Sequence, residues 1–135
     1  MKKLLVLLLL MVSTSVFSEW TAVSVSSDNN RTNYVDVGTI KKKGNKVKMW
    51  TMYDYKTVKM IDKNEKQTVR YLSMVNYDEY DCEEETWKML DLYLYSGNMG
   101  DGEVVGSSTN IKDEAKSVIP GSITETLFKI ACGKK

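Results

Sequence analysis

Alternation of apolar and polar residues runs through the chain from Trp20 onward. "WTAVSV" (20–25) alternates and is rich in β-formers, which predicts a first strand. The polar stretch "SSDNN" marks a loop, and "NYVDV" (33–37) is a second candidate strand. "TIKKKGNKVKMWTMYDY" (39–55) predicts a hairpin with Gly44 and Asn45 at its tip. "TVRYLSMVNYDEYDC" (68–82) and "WKMLDLYLYS" (87–96) add two strands, and "EVVGS" (103–107) a short one. The total is about six strands, and their short connections imply a mostly antiparallel sheet.

The period changes once, near the C-terminus. In "PGSITETLFKIACGKK", Ser122 stands three residues before Glu125, the capping-box spacing. Ser122 is placed to accept from the backbone N–H near Glu125, and Glu125 to reach back to the N–H of Ser122. Ile123, Leu127, Ile130 and Ala131 recur at helical spacing, with Phe128 widening the stripe. Gly133 suits the C-terminal cap, and Lys134 and Lys135 suit the negative end of the dipole. The expected fold is therefore α+β: a single antiparallel sheet of about six strands with a C-terminal helix packed on one face.

Strict alternation along "WKMLDLYLYS" points Leu90, Leu92 and Leu94 to one face, the natural bed for that helix. Trp87, Met89, Tyr93 and Tyr95 then share the other, with Asp91 among them. In the preceding hairpin, Tyr53 and Tyr55 oppose Trp50 and Met52. An aromatic, amphipathic second face fits either a small second core under loops or a dimer or partner surface.

The N-terminus reads differently. "MKK" is a short basic head, and "LLVLLLLMV" (4–12) is an apolar run too short to span a bilayer comfortably. "STSVFS" follows, with Val16 and Ser18 at the small-residue positions. Residues 1–18 are thus expected to be a signal peptide cut between Ser18 and Glu19, leaving a single domain over 19–135. Glu19 rather than Cys follows the cut, so a free periplasmic or secreted protein is expected rather than a lipoprotein. Without Lys2 and Lys3, seventeen basic residues face eighteen acidic ones, a net charge of −1. That balance gives no footprint for nucleic acid.

Candidate chemistry is sparse. The chain has no histidine, which removes Ser-His-Asp and Cys-His catalysis and His-ligated zinc. The two cysteines, Cys82 and Cys132, usually pair in an exported chain, whereas a redox pair more often has C-x-x-C spacing. The acidic run "YDEYDCEEE" offers Asp78, Glu79, Asp81 and Glu83 to Glu85, and reads as a solvated turn at a strand end. Lys41, Lys42, Lys43, Lys46 and Lys48 surround the hairpin tip. They read as a solubilising tip or as a contact for anionic glycans or acidic proteins. The glycine-rich "YSGNMGDGEVVG" (95–106) lacks the Lys and following helix of a phosphate loop, and the ligand spacing of a calcium loop. It reads as a turn returning the chain to the sheet. Asn30-Arg31-Thr32 matches a glycosylation sequon, discounted because the signal region looks bacterial. No catalytic, cofactor or metal residue is expected.

Several pieces occur in a fixed order: a Trp after the cut, "YVDVGTI", "GNKVKMW", "YDYK", "YDC", "YSGNMGDGEVV" and "IPGSITETLFKIAC". Together they resemble the surface-adhesin protein E family of Gram-negative bacteria. The resemblance implies a six-stranded antiparallel sheet whose C-terminal helix is held by a Cys82–Cys132 disulfide. It also implies adhesion to host matrix or serum proteins such as vitronectin and laminin, and dimerisation. Two features differ from the family pattern: the lipoprotein Cys is missing, and Ala115 stands where relatives carry Trp. The expected function is an exported, non-enzymatic protein-binding module, with Lys41, Lys42, Lys43, Lys46, Trp87, Tyr93 and Tyr95 as its candidate partner surface. The alternative is a periplasmic inhibitor or envelope-assembly partner that meets no host protein.

Overall fold

The computed structural model describes residues 19–64 and 67–133. Residues 1–18, the expected signal peptide, and Lys134-Lys135 lie outside them. The sheet runs β1 (Thr21–Val25), β2 (Arg31–Lys43), β3 (Lys46–Asn64), β4 (Gln67–Asp81), β5 (Thr86–Tyr95) and β6 (Val104–Ser108). Every neighbour in sequence is a neighbour in space, and all pairings are antiparallel. A two-residue strand, β7 (Lys116–Ser117), pairs with the start of β5 beside the segment that β6 covers. "NYVDV" and the first arm of the expected hairpin are one strand, β2, with an irregularity between Asp36 and Lys41.

Helix α1 spans Ile123–Cys132. Ser122 caps it by accepting from the Glu125 N–H at 3.2 Å. The reciprocal half of the expected box is displaced by one residue. The N–H of Ser122 donates instead to the Ile119 carbonyl, and Glu125 Oε1 accepts from the N–H of Gly121 at 3.5 Å. Gly133 closes the other end with φ +68°, donating to the Ile130 carbonyl. The buried stripe is Leu127, Phe128 and Ala131. Burying Leu127 and Phe128 contributes about 2 kcal/mol each.

The bed for α1 is not the Leu90–Leu92–Leu94 row. It is Val35, Val47, Met49 and Tyr80, with Trp87 packed at its margin. A β-bulge explains part of the difference; Leu92 and Leu94 keep the helix face but lie farther along the strand, in a second cluster. Tyr77 pairs with Asp91 but Asp78 pairs with Met89, so Leu90 is an extra residue in β5. An extra residue inverts the parity of everything before it. Trp87 and Met89 therefore share the helix face with Leu92 and Leu94, while Asp91, Tyr93 and Tyr95 occupy the opposite face. Tyr53 and Tyr55 do oppose Trp50 and Met52, as the alternation predicts.

The helix face holds two apolar clusters separated by a polar belt. One lies under α1; the other gathers Tyr55, Tyr71 and Leu94, with Tyr53, Met74 and Leu92 against them. Between them Asn33, Thr51, Asn76 and Asp78 are all buried. Cys82 and Cys132 are bonded, with Cα atoms 5.8 Å apart, and tie the end of α1 to the β4–β5 turn. The same turn braces the β2–β3 tip: the Cys82 N–H donates to the Asn45 carbonyl, and the Asn45 amide donates to Glu83.

Candidate functional site

The face that α1 leaves bare carries two clefts. At the hairpin end, Lys41, Lys42, Lys43, Lys46 and Lys48 line a cleft of about 650 Å³ together with Tyr77 and Glu79. The fold thus gathers the four lysines of the expected partner surface, Lys41, Lys42, Lys43 and Lys46, and adds Lys48. Glu79 is not part of a solvated turn. Its side chain is 14 % exposed and lies 3.8–4.0 Å from the amines of Lys46, Lys48 and Lys88. Each of these partly exposed pairs contributes less than about 1 kcal/mol, so Glu79 organises the amines more than it stabilises the fold. Lys41, Lys42 and Lys43 have no ion-pair partner among the described residues.

Towards the other end of the strands, Trp20, Trp50, Tyr93 and Tyr95 line a second cleft of about 640 Å³, with Asp36 and Met99 in its wall. Trp50 is held from one side by stacking on Tyr77, ring centroids 4.6 Å apart, and leans towards Tyr93 at 6.1 Å. Tyr93 and Tyr95 thus share this cleft. Trp87 does not; it lies across the sheet under α1, with the Lys116 amine 5.8 Å above its ring. The other lining residues, Trp20, Asp36, Trp50 and Met99 among them, were not placed in the candidate surface by sequence reasoning. Asp36 and Trp50 are cross-strand partners, which no one-strand pattern reveals.

The glycine-rich loop forms the end wall of this cleft. It does turn the chain back into β6, but it also folds over the sheet. Asp54 Oδ1 accepts from the Met99 N–H at 2.7 Å and from the Asn98 amide at 3.1 Å. Buried Ser73 donates to the Gly97 carbonyl and accepts from the Gly100 N–H. These bonds hold Met99 with φ +57° and hide Met52 beneath Gly100. The aromatic face is thus partly a small core under a loop and partly open.

On the helix face, Asp78 is 2 % exposed, which overturns its reading as part of a solvated turn. Its register places it opposite Met49, inside the sheet. Oδ2 accepts from the Thr51 hydroxyl at 3.0 Å and the Tyr80 hydroxyl at 3.5 Å. Oδ1 is buried without a hydrogen-bond partner, as are Asn33 Oδ1 and both polar atoms of the Asn76 amide. Burial pushes the Asp78 carboxyl up to about 7, and the two hydroxyls oppose the shift. Burial, then the neighbouring Asp78 charge, push the Tyr53 phenol up to about 12. Tyr80 is raised well above its ordinary value for the same two reasons. The Asp78 carboxyl is consequently mostly protonated below pH 7 and ionises as pH rises through about 7. Among the described residues no group of three or more Cys, Asp or Glu is arranged to hold a metal ion.

The sequence of residues 20–133 matches the family model for surface-adhesin protein E. The chain belongs to the surface-adhesin protein E family. Its fold is also that of solved structures of Haemophilus influenzae protein E. One superposes with a TM-score of 0.59, at 16 % identity, covering 89 % of this chain and 91 % of that one. The selenomethionine form gives 0.58, also at 16 % identity, covering 89 % and 90 %. Protein E from a non-typeable strain gives 0.56, at 16 % identity, covering 89 % and 79 %. No curated protein matches this chain by sequence. At such identity the likeness to protein E concerns the sheet, the helix and their order; the lysine and aromatic clefts stand on this chain's own residues. Among the described residues no helix is long and apolar enough to cross a membrane.

Proposed function

We propose that this adhesin E family member is an exported, non-enzymatic module that binds a protein partner through its lysine-lined cleft. The supporting observation is the gathering of Lys41, Lys42, Lys43, Lys46 and Lys48 on one face, around a single carboxylate, beside the half-buried Tyr77 ring and the Trp50 stacked on it. Amines in excess over their internal counter-charge attract acidic surfaces and speed encounter with them. Aromatic rings at the border supply the apolar area on which interfaces depend. Family membership makes host matrix or serum proteins, vitronectin and laminin among them, the first partners to test.

The test is surface plasmon resonance on immobilised vitronectin and laminin. The wild-type protein should bind saturably, and replacing Lys41, Lys42, Lys43 and Lys46 together with Ala should abolish binding while the melting temperature stays within a few degrees. Binding that survives the four substitutions sinks the role of the cleft. Cleavage after Ser18 belongs to the same proposal, and intact mass spectrometry of the exported protein should give a chain beginning at Glu19. Surface labelling of whole cells against osmotic-shock release then separates an adhesin from a periplasmic protein.

A further inference from the structure

The second cleft differs from the first in charge and in lining. No lysine or arginine borders it. Its one charged lining residue is Asp36, which is only 8 % exposed. One carboxylate oxygen accepts from the Gly38 N–H at 3.2 Å, and the group has no ion-pair partner among the described residues. The neighbouring hydroxyl cannot serve as that partner. Thr39 Oγ1 already donates to the Asp36 backbone carbonyl at 2.6 Å and accepts from the Trp50 N–H at 3.1 Å. Asp36 thus brings to the cleft a mostly buried carboxylate with one backbone hydrogen bond and a charge left unpaired.

We infer that this cleft is a binding site for a small organic ammonium ion, with Asp36 as its counter-charge and Trp20, Trp50, Tyr93 and Tyr95 as its walls. Aromatic faces attract cations through the ring quadrupole, most strongly where water is excluded, and quaternary ammonium groups are bound elsewhere in such aromatic boxes. A trimethylammonium head adds methyl area against the rings without demanding hydrogen-bond acceptors. The volume of about 640 Å³ suits a small ligand. Trp50 is braced by Tyr77, and Met99 is held by the Asp54 bond, so two walls are set before the ligand arrives. The site adjoins the lysine cleft through the Trp50–Tyr77 stack but differs from it in charge.

The experiment titrates the exported protein with tetramethylammonium, with choline, and with the uncharged carbon analogue of choline, in which a tert-butyl group replaces the trimethylammonium. Tryptophan emission and amide shifts report binding. Both cations should bind saturably, and the uncharged analogue about tenfold more weakly. Asp36→Asn keeps an acceptor for the Gly38 N–H and should weaken choline binding by about tenfold; Trp50→Leu should weaken it for the cations and the analogue alike. Replacing the four tip lysines should leave choline binding intact, which separates failure of this site from failure of the protein-binding cleft. Absence of saturable binding, or equal affinity for choline and its carbon analogue, overturns the inference. The comparison of those two ligands needs no variant, so it stands even where a substitution unsettles the fold.

Discussion

Replacing Asp78 with Asn removes a proton-binding group from the middle of the sheet while keeping an acceptor for the Thr51 hydroxyl. Burial raises this carboxyl from its ordinary 3.8 to about 7. The folded protein therefore holds a proton there that the unfolded chain has already released at pH 5 or 6. The associated stability is fully present below about pH 4 and is lost as pH rises through about 7. A gap of about three pH units, at about 1.36 kcal/mol each, amounts to about 4 kcal/mol. Against the 5–15 kcal/mol typical of a domain, that is a large share. The assay is urea unfolding of both proteins between pH 4 and pH 8. Other carboxylates titrate in both and cancel in the difference. Tyr53 and Tyr80, which share the site, stay protonated throughout this window. The advantage of the wild type over Asp78→Asn should shrink by about 4 kcal/mol from pH 4 to pH 8. A difference that is flat with pH would refute the reasoning, because Asp78 would then titrate alike in the folded and unfolded chains.

Cys132→Ser opens a loop whose ends are 50 residues apart. The chain-entropy model gives a loss of about 4 kcal/mol, and thermal unfolding under oxidising conditions should fall by roughly 15 °C; an unchanged midpoint would show that the bridge is not structural. Gly102→Ala drives a Cβ into Ser96 Oγ at φ +78°. The expected cost is about 2 kcal/mol in urea unfolding, with loss of the Met99 wall seen as altered amide shifts; wild-type stability and shifts would contradict that packing.

Local chemistry made most of the frame legible. The cap at Ser122, the αL glycine at 133 and the Gly44-Asn45 tip are each decided within a few residues, and they fell where the sequence placed them. The bed of the helix did not, because one extra residue at Leu90 inverts the facing of the first half of β5 and the helix sits over that end, and β-propensity is blind to an insertion. Asp78 failed for a related reason. It belongs to a run of acids that reads as surface, and only the pairing with Met49 shows that it is inside. The tip lysines were legible as a cluster because they are adjacent in the chain. The aromatic cleft draws on Trp20 ahead of β1, on β2, β3, β4 and β5, and on the glycine loop, so its unity exists only after folding.

The unbroken strand order also has a consequence for how the molecule assembles. Each strand needs only the one before it, so most pairings close short loops, the cheap and fast kind. Helix α1 is the exception, since its bed lies on β2, β3 and β4, more than forty residues back in the chain. Sheet formation can thus run ahead of helix docking, with the bridge sealing an arrangement already reached. On that order of events the disulfide acts as a brake on unfolding and adds little to the speed of folding.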